Sequence, residues 1–132
     1  MHNSRSRSRR SQRGQAVVEF AFILPLLLLL ILGITELGRM IMRTNLLTQA
    51  AREGARAAAV GADSSSCVTR VTDVLASANV TPLAVDVTGP DGNNMMSVVV
   101  TSNYAVLGSG VGWFNLPANL TLRGSSMMRL EN

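Results

Sequence analysis

The chain has 132 residues, enough for one small domain beside a membrane-length segment. Its twelve basic residues are all arginine. Five of them (Arg5, Arg7, Arg9, Arg10, Arg13) precede residue 15 with no acid among them, while from Gln15 onward seven arginines face eight acids, a formal balance of −1. The net charge of +4 therefore belongs to an N-terminal arm. The body has no basic cluster for phosphates, and an arm beside an apolar run is a topology signal rather than a nucleic-acid tail.

Residues 1 to 13 are Ser/Arg-rich and are predicted to be disordered. Residues 16 to 35 carry no charge except Glu19. As a helix, Ala16 to Ile34 would span roughly 28 Å, close to the hydrocarbon thickness of a bilayer. Pro25 lies inside this run, removes one backbone hydrogen bond and predicts a bend or local loosening. A secretory signal peptide fits the arm and the run. It does not fit the residues after Ile34, Thr-Glu-Leu-Gly-Arg, which hold no small-x-small cleavage site. An uncleaved anchor or a prepilin-type leader fits better. Glu19 is costly near lipid. It either faces a cation in a helix bundle or reaches interfacial water from about one turn inside the segment.

The helix is expected to continue past the membrane. Thr35 to Val60 holds no proline and is dominated by helix formers. Glu36 and Arg39 are spaced to pair on one face, as are Glu53 and Arg56. Ala50, Gly54 and Ala58 form a small-residue stripe that lets another backbone approach. The partner is this protein's own sheet or another subunit's helix, and self-packing is the safer reading. Gly61 is placed to end the helix.

Asp63 to Ser66 offers several N-caps. Val68, Val71, Leu75 and Ala78 then mark a shorter amphipathic helix ending near Asn79. Cys67 is read as a small apolar residue on that helix, with an intermolecular disulfide as the alternative, since one cysteine cannot pair within the chain. Leu83, Val85 and Val87 alternate with Ala84 and Asp86 as a strand. Gly89-Pro-Asp-Gly-Asn-Asn94 is a turn, and Met95 to Tyr104 is the partner strand of a hairpin. Gly108 to Pro117 is a loop carrying Trp113 and Phe114. A last strand with one buried face is predicted because Leu120, Leu122, Ser126, Met128 and Leu130 share one parity. The predicted class is α+β, with a long N-terminal helix, a short helix and a small antiparallel sheet of about three strands. The expected divisions are an arm over 1–14, a long helix over 15–60 and a small domain over 61–132.

Catalysis has almost no support. The sole histidine, His2, lies in the arm; no metal-ligand cluster, nucleophile–His pair or phosphate loop is present, and Gly108-Ser-Gly-Val-Gly112 lacks the strand-then-helix context. No catalytic residue, metal or cofactor is expected.

The segment Arg13-Gly-Gln-Ala-Val-Val-Glu-Phe20, the apolar run with Pro25, Gly33-Ile-Thr-Glu-Leu-Gly-Arg39 and Ala50-Ala-Arg-Glu-Gly-Ala-Arg-Ala57 together resemble the TadE-like family of pseudopilins, minor components of the tight-adherence (Tad) pilus apparatus. Ser126-Met-Met-Arg-Leu-Glu131 resembles the family's ending more loosely, with Leu130 where a proline often stands. The resemblance implies a single-span precursor in a bacterial cytoplasmic membrane, cut by a prepilin peptidase on the cytoplasmic side. Gly14 and Glu19 match the processing motif, so a cut after Gly14 makes Gln15 the first residue and Glu19 the fifth, with Phe20 next. It further implies a pilin-like extracytoplasmic domain, a role in pilus assembly and adhesion, and other pseudopilins, assembly proteins and the major pilin as candidate partners. The new amino group at Gln15, its own or a neighbour's, would be the cation for Glu19. Pro25, Glu36, Arg39, Ala50, Gly54 and Ala58 are the candidate positions for helix interaction. The competing reading is an uncleaved, membrane-anchored binding module with Trp113 and Phe114 as its contact; a cut after Gly14 separates the two.

Overall fold

The computed structural model describes residues 8–107 and 117–130. In chain order the elements are α1 (Ser8–Ala59), α2 (Ser64–Ala76), β1 (Ala84–Thr88), β2 (Met95–Ala105) and β3 (Asn119–Arg129). This is the α+β layout expected from the sequence. The loop predicted over 108–116, with Trp113 and Phe114, lies outside the described residues, as does Glu131. The chain divides into two compact units, Met1–Leu37 and Gly38–Asn132.

Within the first unit α1 already begins at Ser8, which corrects the expected disorder of residues 8 to 13. Arginine and glutamine propagate a helix well, so a helix nucleated in the apolar run extends back into the arm. Pro25 sits inside α1 without ending it. Thr35 Oγ1 donates to the Ile31 carbonyl at 2.8 Å, one turn back. The apolar side chains are exposed, among them Phe22 at 79%, Leu26 at 69% and Val17 at 68%. The helix is long and apolar enough to cross a membrane, and its most apolar window is not buried by the protein.

The second unit builds its core on the C-terminal part of α1. Leu47, Ala50, Ala51 and Ala55 of α1 pack with Val71 and Leu75 of α2, Val80, and Val98 and Val100 of β2. The sheet order is β1-β2-β3, antiparallel throughout. Alternation decides which face is buried. Val98, Val100, Ser102 and Tyr104 of β2 point inward, flanked by Val87 and Val85 of β1 and by Ser126, Gly124, Leu122 and Leu120 of β3.

Two glycines set how closely the layers meet. A Cβ on Gly124 would lie 2.5 Å from Thr48 N and 2.7 Å from Leu47 Cβ, so β3 rests on the helix backbone itself. A Cβ on Gly54 would lie 2.6 Å from Val71 Cγ2 and 3.2 Å from Val98 Cγ1. The small-residue stripe is therefore filled from within. Ala50 is fully buried, Ala58 is 2% exposed, and α2 and the sheet occupy the space.

The connections reflect local backbone chemistry. Gly61, at φ +83°, ends α1; its N–H donates to Ala58 O and the Ala62 N–H donates to Ala57 O. Asn79, at φ +54°, ends α2 in the same way, with the Val80 N–H on Leu75 O. Asp63 precedes α2, where its carboxylate accepts from the Ser65 and Ser66 hydroxyls, which hold it below the usual carboxylate range. In the hairpin turn, Asp91 Oδ1 accepts from the N–H groups of Asn93 (3.0 Å) and Met95 (2.8 Å). The Gly89-Pro90 peptide is cis.

Two faces differ from the sequence pattern. The buried stripe of α2 is Cys67, Val71 and Leu75, while Val68 is half-buried and Ala78 exposed. Leu83 shares the parity of the inward valines yet is 61% exposed, because it precedes β1 at the sheet's edge; its N–H still bonds Thr101 O at 2.7 Å.

Cys67 is a free thiol at 0% exposure. Burial, and next the Asp63 carboxylate, push it above the ordinary thiol range, so it stays protonated at neutral pH. Iodoacetamide should therefore leave Cys67 unlabelled in the native protein and label it once denaturant is added. Rapid native labelling would show the helix face to be open.

The packing also ranks two substitutions. Gly124→Ala places a methyl against helix backbone that cannot step aside, and should cost about 3 kcal/mol, lowering the melting temperature by about 10 °C or more. Gly54→Ala meets the buried, β-branched Val71 rather than backbone and gains roughly 1 kcal/mol of helix propensity, so its net cost should be smaller than that of Gly124→Ala. Thermal unfolding of the detergent-solubilised full chain compares them; equal effects would disprove the backbone-contact account.

Candidate functional site

The motif Gly14, Gln15, Glu19 and Phe20 lies on an uninterrupted stretch of α1. Glu19 lies four positions after Gln15, which places them one above the other on one helix face, about 6 Å apart along the axis. All four residues are exposed, Phe20 at 59%. A Cβ built on Gly14 would meet nothing within 4 Å, and its backbone is not in the left-handed region. No packing or backbone requirement in the fold explains a glycine there. A helix interior disfavours glycine by about 1 kcal/mol relative to alanine, so the residue is a local cost without a structural return.

The positions assigned to helix interaction separate into different environments. Pro25 lies in the exposed apolar stretch. Glu36 is half-buried. Ala50, Gly54 and Ala58 are buried under the protein's own sheet and α2, which leaves no surface there for a second helix.

Arg39 has a partner that spacing along the helix did not reveal. Its Cζ lies 5.6 Å from the centroid of the Tyr104 ring, and Arg43 Cζ lies 5.9 Å from the same centroid. Tyr104 is 2% exposed, at the end of the inward row of β2. Its ring faces α1 and its quadrupole attracts both guanidiniums. The parity of Val98, Val100, Ser102 and Tyr104 could have predicted an inward tyrosine. Which helix residues it would meet depended on the sheet's placement.

The remaining hollows are shallow. One lies between the end of α1 and α2, with Glu53 and Asp73 set against Arg56 and Arg70. Another, at the hairpin, is lined by Asn93, Asn94 and Arg129. Among the described residues no three or more His, Cys, Asp or Glu side chains gather where they could hold a metal.

No curated protein and no solved structure matches the chain. The family model described as TadE-like protein matches residues 14–56, beginning at the unexplained glycine and ending at Arg56 within the buried part of α1. Over that segment, about a third of the chain, the resemblance read from the sequence is shown: residues 14–56 are similar to the TadE-like family.

Proposed function

We propose that the chain is a minor pseudopilin of a Tad-type pilus apparatus, anchored by the apolar part of α1 and cut after Gly14 by a prepilin peptidase. The observation that carries this reading is Gly14. It opens the family-matched segment five residues ahead of Glu19 and, like Gly33 and Gly38 farther along α1, meets no neighbour in the fold, so its distinguishing mark is that spacing. A reader outside the chain supplies the reason. A peptidase site that admits only hydrogen at that position selects glycine by steric exclusion. The Gly14–Gln15 bond lies within α1, so cleavage requires a local unwinding, and glycine lowers its cost.

The cut removes all five leader arginines and creates an ammonium group at Gln15, one helical turn from Glu19. That pairing, within one chain or between neighbours, would offset the cost of a carboxylate beside lipid. The body would then act in assembly as a scaffold, with other pseudopilins, assembly proteins and the major pilin as its partners. The arginine arm supports a cytoplasmic N-terminus, with the domain after Gly38 outside.

Intact mass of protein from a host carrying the peptidase should lack residues 1–14, and Gly14→Leu should restore them. The same cut reports the topology, because the peptidase acts from the cytoplasmic side. Recovery of the complete arginine arm from such a host would refute the pseudopilin reading and favour an uncleaved anchor.

Glu19 should act in assembly rather than insertion. Glu19→Leu makes the segment more apolar; an acid costs roughly 2.5–3.5 kcal/mol at a membrane centre and less near the end, so insertion should hold or improve. In protein already shown to be cut, Glu19→Leu should abolish piliation and Glu19→Asp should retain part of it. Normal piliation by cut Glu19→Leu protein would leave Glu19 as an interfacial residue with no partner role.

A further inference from the structure

The sheet has two free edges, β1 on one side and β3 on the other, and among the described residues no further strand pairs with either. Native sheets guard a free edge with short strands, proline or bulges. β1 is guarded in this way. It has five residues between Pro82 and Pro90, and the Leu83 N–H bonds Thr101 O just ahead of the register pair Ala84 and Thr101. β3 is not. It runs for eleven residues without proline, and its register with β2 is unbroken from Asn119 to Arg129.

The ladder fixes which backbone groups each edge presents. In an antiparallel pair, residues that bond one neighbour alternate with residues that turn N–H and C=O the other way. The Leu130 N–H donates to Asn94 O and the Val106 N–H to Ala118 O, so the even-numbered residues of β2 and β3 bond each other. Asn119, Thr121, Arg123, Ser125, Met127 and Arg129 therefore turn theirs to the free edge, and their exposed side chains form the outer face. The odd-numbered residues of β2 bond β1 through Ala84, Asp86 and Thr88. Val85 and Val87 are left with N–H and C=O directed at the opposite edge, while exposed Asp86 shares the outer face.

These two edges fit each other. β1 and β3 are both antiparallel to β2, so β1 of a second copy that continues the sheet arrives parallel to β3. In a parallel pair a residue bonds the two that flank the one opposite it. With the partner's Asp86 opposite, Arg123 bonds the partner's Val85 and the partner's Val87, whose backbone groups point that way. The side chains agree. Arginine meets carboxylate on the outer face, and the two valines fall beside Leu122, which is only half-buried, and Gly124 on the inner face. Two β3 edges fit less well, because Arg123 and Arg129 are that strand's only charges and like charges would gather.

We infer that the sheet of one copy continues into the next, with β1 of a second copy adding in parallel to the free edge of β3 and Asp86 opposite Arg123. Such pairing is head-to-tail, so it extends from copy to copy instead of closing as a two-fold dimer. β1 supplies only five residues, so the contact is small and forms reversibly where copies are crowded in one membrane. It lies within the second unit and depends neither on the cut after Gly14 nor on a pilus.

Disulfide trapping of the full chain in proteoliposomes tests the register. Thr88 and Ser125 stand one pair farther along, about 5 Å apart across the two strands and within disulfide reach. Differently tagged T88C and S125C chains, each keeping buried Cys67, should form a mixed disulfide dimer on mild oxidation. T88C with N119C should give several-fold less, and unsubstituted chains set the background. R123D on the S125C chain should lower the yield several-fold, and adding D86R to the T88C chain should restore it. If circular dichroism shows R123D to be unfolded, D86R against the unaltered S125C chain makes the same reversal from the other side and should lower the yield as much. Equal yields with S125C and N119C would overturn the pairing. So would S125C chains linking to each other as readily as to T88C, or yields indifferent to charge reversal.

Discussion

The contact on which the second unit depends is the approach of β3 to α1 at Gly124. With no side chain there, the strand lies against the backbone of Leu47 and Thr48. The rest of the interface is built to that short separation. Ala50, Ala51, Ala55 and Ala58 present only methyl groups toward the sheet and α2, and Gly54 presents nothing where Val71 and Val98 press in. Larger side chains complete the core: Leu47, Val71, Leu75, Val98, Val100 and Tyr104 are all fully or nearly buried. Close backbone approach through small residues and burial of these apolar side chains together hold the layers.

One helix therefore meets its burial requirement in two ways. In the first unit its apolar residues have no cover from the chain and call for an apolar surrounding, which a bilayer or neighbouring helices provide. In the second unit its stripe is already satisfied by the protein's own sheet. Beyond Met42, what α1 still exposes there is polar: Asn45, Gln49, Arg52, Glu53 and Arg56. This bears on how such a subunit could associate. Close helix packing of the small-x-x-x-small kind is not open to Ala50, Gly54 and Ala58, because their space is occupied.

Gly14 and Gly124 differ in their surroundings. At Gly124 the neighbouring atoms belong to the protein and the residue is structural. At Gly14 the surroundings are empty, as they are at Gly33 and Gly38, and the proposed function assigns its constraint to a peptidase. Separating the two requires coordinates, since in the sequence both are single glycines among larger residues.

Much of the architecture was legible from pattern alone. A charge-free run of membrane length, two helical periodicities and three alternating strands each depend on the local repeat of a side chain toward one face, and local repeats survive without knowledge of the neighbours. The hairpin turn and the glycine that ends α1 were legible for the same reason: their backbone conformations favour particular residues. The start of α1 was misplaced because composition suggested disorder where a nucleated helix simply continued. The shift of the α2 face to Cys67, Val71 and Leu75 arose because the periodicity allowed neighbouring stripes and the sheet selected one. By itself the sequence determined the elements, the apolar span, the glycine–glutamate spacing and the family-like segment. Only the tertiary structure decided that the small-residue stripe is internal, that β3 touches the helix backbone at Gly124, and that Arg39 and Arg43 share Tyr104, because each depends on which surfaces residues far apart in the chain bring together.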